Sequence, residues 1–110
     1  MKQQISLGCS SVKTTLDVIG GKWKPLIMFL LTKETMRFSE LQKGIGGITQ
    51  KMLTQQLREL ESDKLISRKV YAQVPPKVEY SITSYGKTLI PVFKTMHQWG
   101  LVHTKHNANL

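Results

Sequence analysis

Residues 38–62 read FSELQKGIGGITQKMLTQQLRELES. Ser39-Glu40-Leu41-Gln42 has the capping-box pattern, in which serine and glutamine satisfy each other's backbone donors, so a short helix is expected from Ser39. Gly44, Gly46 and Gly47 end it within a few residues, because glycine tolerates the turn that follows a helix. Thr49 is placed to cap a second helix over residues 50–62, with Leu53, Leu57 and Leu60 as its buried stripe and Met52 beside it. A short helix, a glycine-rich turn and a longer helix make a helix-turn-helix. Its second helix is narrow enough to enter the major groove of DNA.

The side of that helix opposite the leucines offers Lys51, Thr54, Gln55 and Arg58 at i, i+3, i+4 and i+7, with Gln50 near the start. The acids Glu59, Glu61 and Asp63 gather at the far end, so this face reads as free of acid. A helix that merely faces water usually mixes both signs, often as Glu–Lys pairs. The plain reading, a solvated face, is weighed against that asymmetry, which favours a surface aimed at phosphates and base edges.

Downstream, residues 65–74 and 78–82 read as two strands. Val78, Tyr80 and Ile82 alternate with Glu79 and Ser81, as in a half-buried strand. Pro75-Pro76-Lys77 cannot continue a ladder and marks the hairpin tip. Arg68, Lys69 and Lys77 place cations on the hairpin, and Glu79 is the only acid from Lys64 onward. A helix-turn-helix with an adjoining basic hairpin is a winged helix. A last helix follows over residues 83–105, capped by Thr83 and expected to bend at Pro91. Tyr85, Leu89, Phe93, Met96 and Trp99 lie near one of its faces.

Upstream, Val12, Leu16 and Ile19 mark an amphipathic helix within residues 10–20, started by Ser10 or Ser11 and ended by Gly20-Gly21. Residues 1–9 read as a flexible arm. Residues 23–31 form a helix apolar over most of its circumference, hence central to the core. Met36-Arg37-Phe38 is a short extended stretch. The fold class is therefore α+β, mainly α: a winged helix-turn-helix with an added C-terminal helix, in a single domain over 1–110.

Composition agrees. Sixteen Lys and Arg against seven Asp and Glu give a net charge of +9 in 110 residues, which calls for a polyanionic partner. Cys9 is the only cysteine, so no intrachain disulfide exists. No apolar run approaches the ~20 residues of a membrane span, and the start lacks a signal peptide. A reducing, cytoplasmic setting is expected. His97, His103 and His106 lack the companions of a metal site, the glycine pairs lack a phosphate-loop ending, and no nucleophile–base set surrounds Cys9. No enzyme, metal or cofactor is expected.

Several motifs then fall in order: Leu16-Asp17-Val18-Ile19-Gly20-Gly21-Lys22-Trp23, Arg37-Phe38-Ser39-Glu40-Leu41, Gly47-Ile48-Thr49-Gln50-Lys51-Met52-Leu53, Leu57-Arg58-Glu59-Leu60-Glu61, Val74-Pro75-Pro76-Lys77-Val78-Glu79-Tyr80, Thr83-Ser84-Tyr85-Gly86 and Trp99-Gly100. The chain resembles the HxlR-type bacterial transcriptional regulators, winged-helix proteins related in architecture to the MarR group, from about Cys9 to Gly100. The resemblance implies a homodimer joined through its first and last helices, here through Val12, Leu16, Ile19, Leu89, Phe93, Met96 and Trp99. It also implies that the helix after Thr49 is the recognition helix. Ser10 departs from a usual proline, Ile82 from a usual leucine, and Lys64 from a usual glycine. A left-handed backbone at Lys64 would cost about 1 kcal/mol.

Several members sense oxidants or electrophiles through a cysteine near the N-terminus, and Cys9 aligns with it. A thiol just before a helix start lies near the positive end of the dipole, and Lys13 adds positive charge; both favour the reactive thiolate. The alternative is a lone cysteine packing as a small hydrophobe.

The expected function is sequence-specific binding of double-stranded DNA by a symmetric dimer at a palindromic operator. Gln50, Lys51, Thr54, Gln55 and Arg58 would read bases, with Arg58 suited to guanine and Gln55 to adenine. Arg37, Thr49, Lys69 and Lys77 would touch phosphates. The competing class is a winged-helix module for RNA or a protein partner, which would have no use for groove-reading donors.

Overall fold

The computed structural model describes residues 2–108, with side chains from residue 8 onward. In chain order the elements are α1 (Lys2–Ile19), α2 (Trp23–Leu31), α3 (Phe38–Ile45), α4 (Gln50–Ser62), β1 (Ile66–Tyr71), β2 (Lys77–Ile82), a 3-10 turn (Gly86–Leu89) and α5 (Ile90–Ala108). β1 and β2 pair antiparallel, with Arg68 opposite Tyr80 and Tyr71 opposite Lys77. Met36 adds a single bridge to Tyr80 on the free edge of β2, as its extended reading anticipates.

The core follows from the apolar stripes. Ile27, Met28 and Leu31 of α2 are buried against Leu41 of α3, Leu53, Leu57 and Leu60 of α4, and Leu65, Ile66 and Tyr80 of the hairpin. Burying a leucine contributes roughly 1.5–3 kcal/mol. Three of them on one side of α4 decide which side turns outward. Thr49 caps α4 as expected, its Oγ1 accepting from Met52 N at 3.1 Å. Gly46 and Gly47 turn the chain between α3 and α4 with φ of 72° and 73°. Gln42 braces that turn by donating to the Ile48 carbonyl at 3.2 Å.

Local expectations are corrected in α1, α3 and α5. The backbone is helical from Lys2, so residues 2–9 belong to α1 rather than to an arm; Met1 lies outside the described residues. The serines at 10 and 11 are helix interior, and the apolar spacing of Val12, Leu16 and Ile19 extends back in sequence through Cys9 to Ile5. Helix α3 begins one residue before Ser39: Arg37 is the extended N-cap residue and its N–H donates to Glu40 Oε1 at 2.8 Å. Ser39 and Gln42 therefore do not make the capping box. Pro91 falls in the first turn of α5, where a missing N–H breaks no intrahelical bond, so it starts the helix instead of bending it. The last α-helix spans Ile90–Ala108 rather than 83–105, because residues 86–89 form a 3-10 turn ahead of it.

The junction between hairpin and α5 is closed by Thr83, whose hydroxyl donates to the Lys64 carbonyl at 2.7 Å and accepts from Gly86 N at 2.9 Å. A Cβ on Gly86 would stand 2.2 Å from the Leu65 carbonyl oxygen, so only glycine fits.

Candidate nucleic-acid interface

Helix α4 presents one open groove, lined by Thr49, Gln50, Lys51, Thr54, Gln55, Arg58 and Glu59. All five expected base readers are thus brought together, and Gln50, Lys51, Gln55 and Arg58 are exposed. Thr54 is half-buried, and its hydroxyl already donates to the Gln50 carbonyl at 2.8 Å, so it faces the groove as an acceptor. Neither Lys51 nor Arg58 takes part in an ion pair; among the described residues the pairs are Lys13–Asp17, Lys24–Glu59 and Lys77–Glu79.

Arg58 also borders a second, narrower cleft of about 280 Å³ between α4 and the hairpin, shared with Thr54, Leu57, Glu61, Arg68 and Tyr80. Arg58 is therefore shared by the outer groove and the cleft on the hairpin side.

The expectation of an acid-free face does not hold. Glu59 lies one turn after Gln55 and lines the same groove. Its Oε1 accepts from Lys24 Nζ of α2 at 2.8 Å. That hydrogen bond, opposed by a smaller effect of burial, holds the Glu59 carboxyl below the ordinary glutamate range; the ammonium's charge and the Gln55 amide add to the lowering. The helical spacing from Gln55 marks the position of Glu59 on this face, but only the tertiary fold reveals Lys24.

The wing cations are less free than their sequence positions suggest. Lys77 opens β2 rather than sitting at the tip, and its ammonium lies 3.6 Å from Glu79 and 4.7 Å from the Tyr71 ring centre. Lys69 stands over the same ring at 4.8 Å. The Glu79 carboxyl is held below the ordinary glutamate range, chiefly by the Tyr71 hydroxyl; burial opposes the lowering, and Lys77 and Arg37 assist it. The two lysines, the tyrosine and the glutamate form one basic cluster. Arg37 is exposed at the start of α3.

The residues expected at a dimer face divide in two. Ile19 and Phe93, 4% and 3% exposed, belong to the core of the single chain, and Leu89 packs against that core. Val12 and Leu16 of α1 and Met96 and Trp99 of α5 are exposed, together with Val92, Leu101 and Val102. Sequence periodicity does not single out these last three. Trp99 stacks on His103 at 4.8 Å and His97 on Phe29 at 5.7 Å.

Cys9 is exposed. It lies well inside α1, not ahead of it, so the helix dipole supplies no positive end beside the thiol. Lys13, expected to favour the thiolate, pairs with Asp17 at 3.0 Å.

Among known proteins, the chain matches the HxlR-like helix-turn-helix family over residues 18–108. It is 57% identical over 93 residues to YdeP of Bacillus subtilis, described as an uncharacterized HTH-type transcriptional regulator; the match covers 84% of this chain and 72% of that protein. The structure of the redox regulator HypR in its reduced form aligns with a TM-score of 0.85 at 47% identity, covering 91% of this chain and 99% of HypR. HypR in its oxidized form aligns at 0.81 with 51% identity, covering 84% and 95%.

Proposed function

The chain belongs to the HxlR-like helix-turn-helix family, whose members matched here are transcriptional regulators, and from that premise we propose that it acts as a symmetric dimer on a palindromic operator in the cytoplasm. The observation that carries this reading is the exposed, donor-rich side of α4, with Lys51, Gln55 and Arg58 open to solvent and no aromatic ring lining the groove. Arginine pairs bidentately with guanine and glutamine with adenine, which suits Arg58 and Gln55 to base edges. Thr49, Arg37, Lys69 and Lys77 would fix the register through phosphates. A single-stranded RNA reader would instead offer rings for stacking. The exposed apolar side chains of α1 and α5 supply a surface for the second subunit, setting two α4 helices ~34–36 Å apart or a multiple of that.

Binding-site selection from random duplex DNA tests this. A recovered palindrome supports the reading, and absence of enrichment overturns it.

A redox response through Cys9 is a second reading, favoured by the exposed thiol and by the likeness to a regulator solved in reduced and oxidized forms. With one cysteine per chain, oxidation ends in an intersubunit disulfide, a mixed disulfide with a small thiol, or a sulfenic acid.

A further inference from the structure

Lys24 is the buried charged residue among the described residues. Its side chain is 9% exposed, whereas Glu59, its partner at 2.8 Å, keeps 45% of its side chain open on the groove lined by Gln55 and Arg58. Burying both members of an ion pair costs two desolvations that their attraction need not repay, so a buried lysine can be neutralised by a carboxylate that stays partly in water. Here the lysine is inside and the acid is outside, on the face that meets the DNA. A carboxylate there repels phosphates and the acceptor edges of guanine and thymine. It can accept only from an amino group, and cytosine N4 is its usual match in the major groove.

We propose that Glu59, tethered from behind by Lys24, is a specificity-determining residue of the reading face: its carboxylate lowers affinity for DNA in general and lowers it least where a cytosine amino group faces it. Specificity is a difference between affinities, and a repulsive group widens that difference by weakening the wrong partners. The tether matters because an untethered glutamate swings away from an acceptor edge, whereas one held by a buried ammonium must be met where it stands. Gln55, one turn earlier, lines the same groove. This inference rests on α4 entering the major groove.

The test compares the duplex selected by the wild-type protein with a random duplex of equal length at one fixed salt concentration. Glu59→Gln removes the charge and leaves an amide oxygen for Lys24. The pair Lys24→Met with Glu59→Met removes both charges without stranding a buried ammonium, and thermal unfolding confirms that each variant is folded. Both variants are expected to bind random duplex more tightly, by about threefold to tenfold, a change of order 1 kcal/mol. The ratio of selected to random affinity falls, and selection repeated with Glu59→Gln loses its preference at one base pair in each half-site. An equal change on both duplexes, no change on either, or weaker binding to random DNA would overturn the proposal. Failure of the wild-type protein to enrich any sequence is a different result: it removes the DNA-reading function itself, and this inference with it.

Discussion

Leu65 N donates to the Leu60 carbonyl at 3.0 Å, closing the end of α4 across Lys64, whose φ is 63°. Lys64 N donates to the Glu61 carbonyl at 2.9 Å, and Leu60 and Leu65 are both buried. Together these are the paired bonds and apolar contact of a Schellman cap, with lysine at the left-handed position. A Cβ there costs roughly 1–2 kcal/mol, and the freer unfolded chain of a glycine variant returns about 0.4–1 kcal/mol of that. Lys64→Gly should therefore stabilise the protein by about 0.5–1 kcal/mol. Urea unfolding should show a raised midpoint at unchanged slope, and a lowered midpoint would contradict this account.

Glu59 gives a pH dependence with a definite sign. Its carboxyl is held below the ordinary value of 4.5 in the folded chain, first by the Lys24 hydrogen bond. A depressed carboxyl contributes stability above its unfolded pKa and loses it as pH falls through the folded one. Wild type should exceed Glu59→Gln in unfolding midpoint at pH 7, and the gap should narrow below about pH 4.5. A gap that widens in acid would reverse the assignment.

Trp99 is 66% exposed on α5 beside Val92 and Met96. If this side meets a second subunit, Trp99→Lys places an unpaired charge in the contact. The variant should sediment as a monomer at concentrations where wild type is dimeric, and its binding to a palindromic duplex should fall at least tenfold, about 1.4 kcal/mol. An unaltered sedimentation profile would move the dimer contact elsewhere.

For Cys9, the measurement is affinity for the selected duplex before and after a mild thiol oxidant such as hydrogen peroxide, with Cys9→Ser as control. The redox reading expects wild type to change and the serine variant to stay constant. Constant affinity in both would contradict the redox reading.

The parts of the fold legible in the sequence are those fixed by neighbours along the chain. Thr49 and the stripe Leu53, Leu57 and Leu60 define α4, and Pro75-Pro76 separates β1 from β2. The start of α1 was obscured because serines at 10 and 11 resemble caps, although the same residues sit inside a helix whose apolar stripe continues through them. Whether Phe93 and Ile19 face a core or a second subunit is invisible to periodicity, which reports a face and not what covers it. In the candidate site, helical spacing assembled Lys51, Gln55 and Arg58. The role of Glu59 was hidden because its partner Lys24 is 35 positions away and meets it only through packing of α2 on α4.

The central claim is that α4 reads bases while the wing holds the backbone. Titration of the selected duplex, its single base-pair substitutions and a random duplex with wild type, Arg58→Ala and Lys77→Ala tests it most directly. Arg58→Ala should lose about 1–3 kcal/mol on the selected duplex and become indifferent to one base pair per half-site, while Lys77→Ala should weaken every duplex alike and reduce the salt slope by about one. Equal losses on selected and random DNA for both variants would contradict the account.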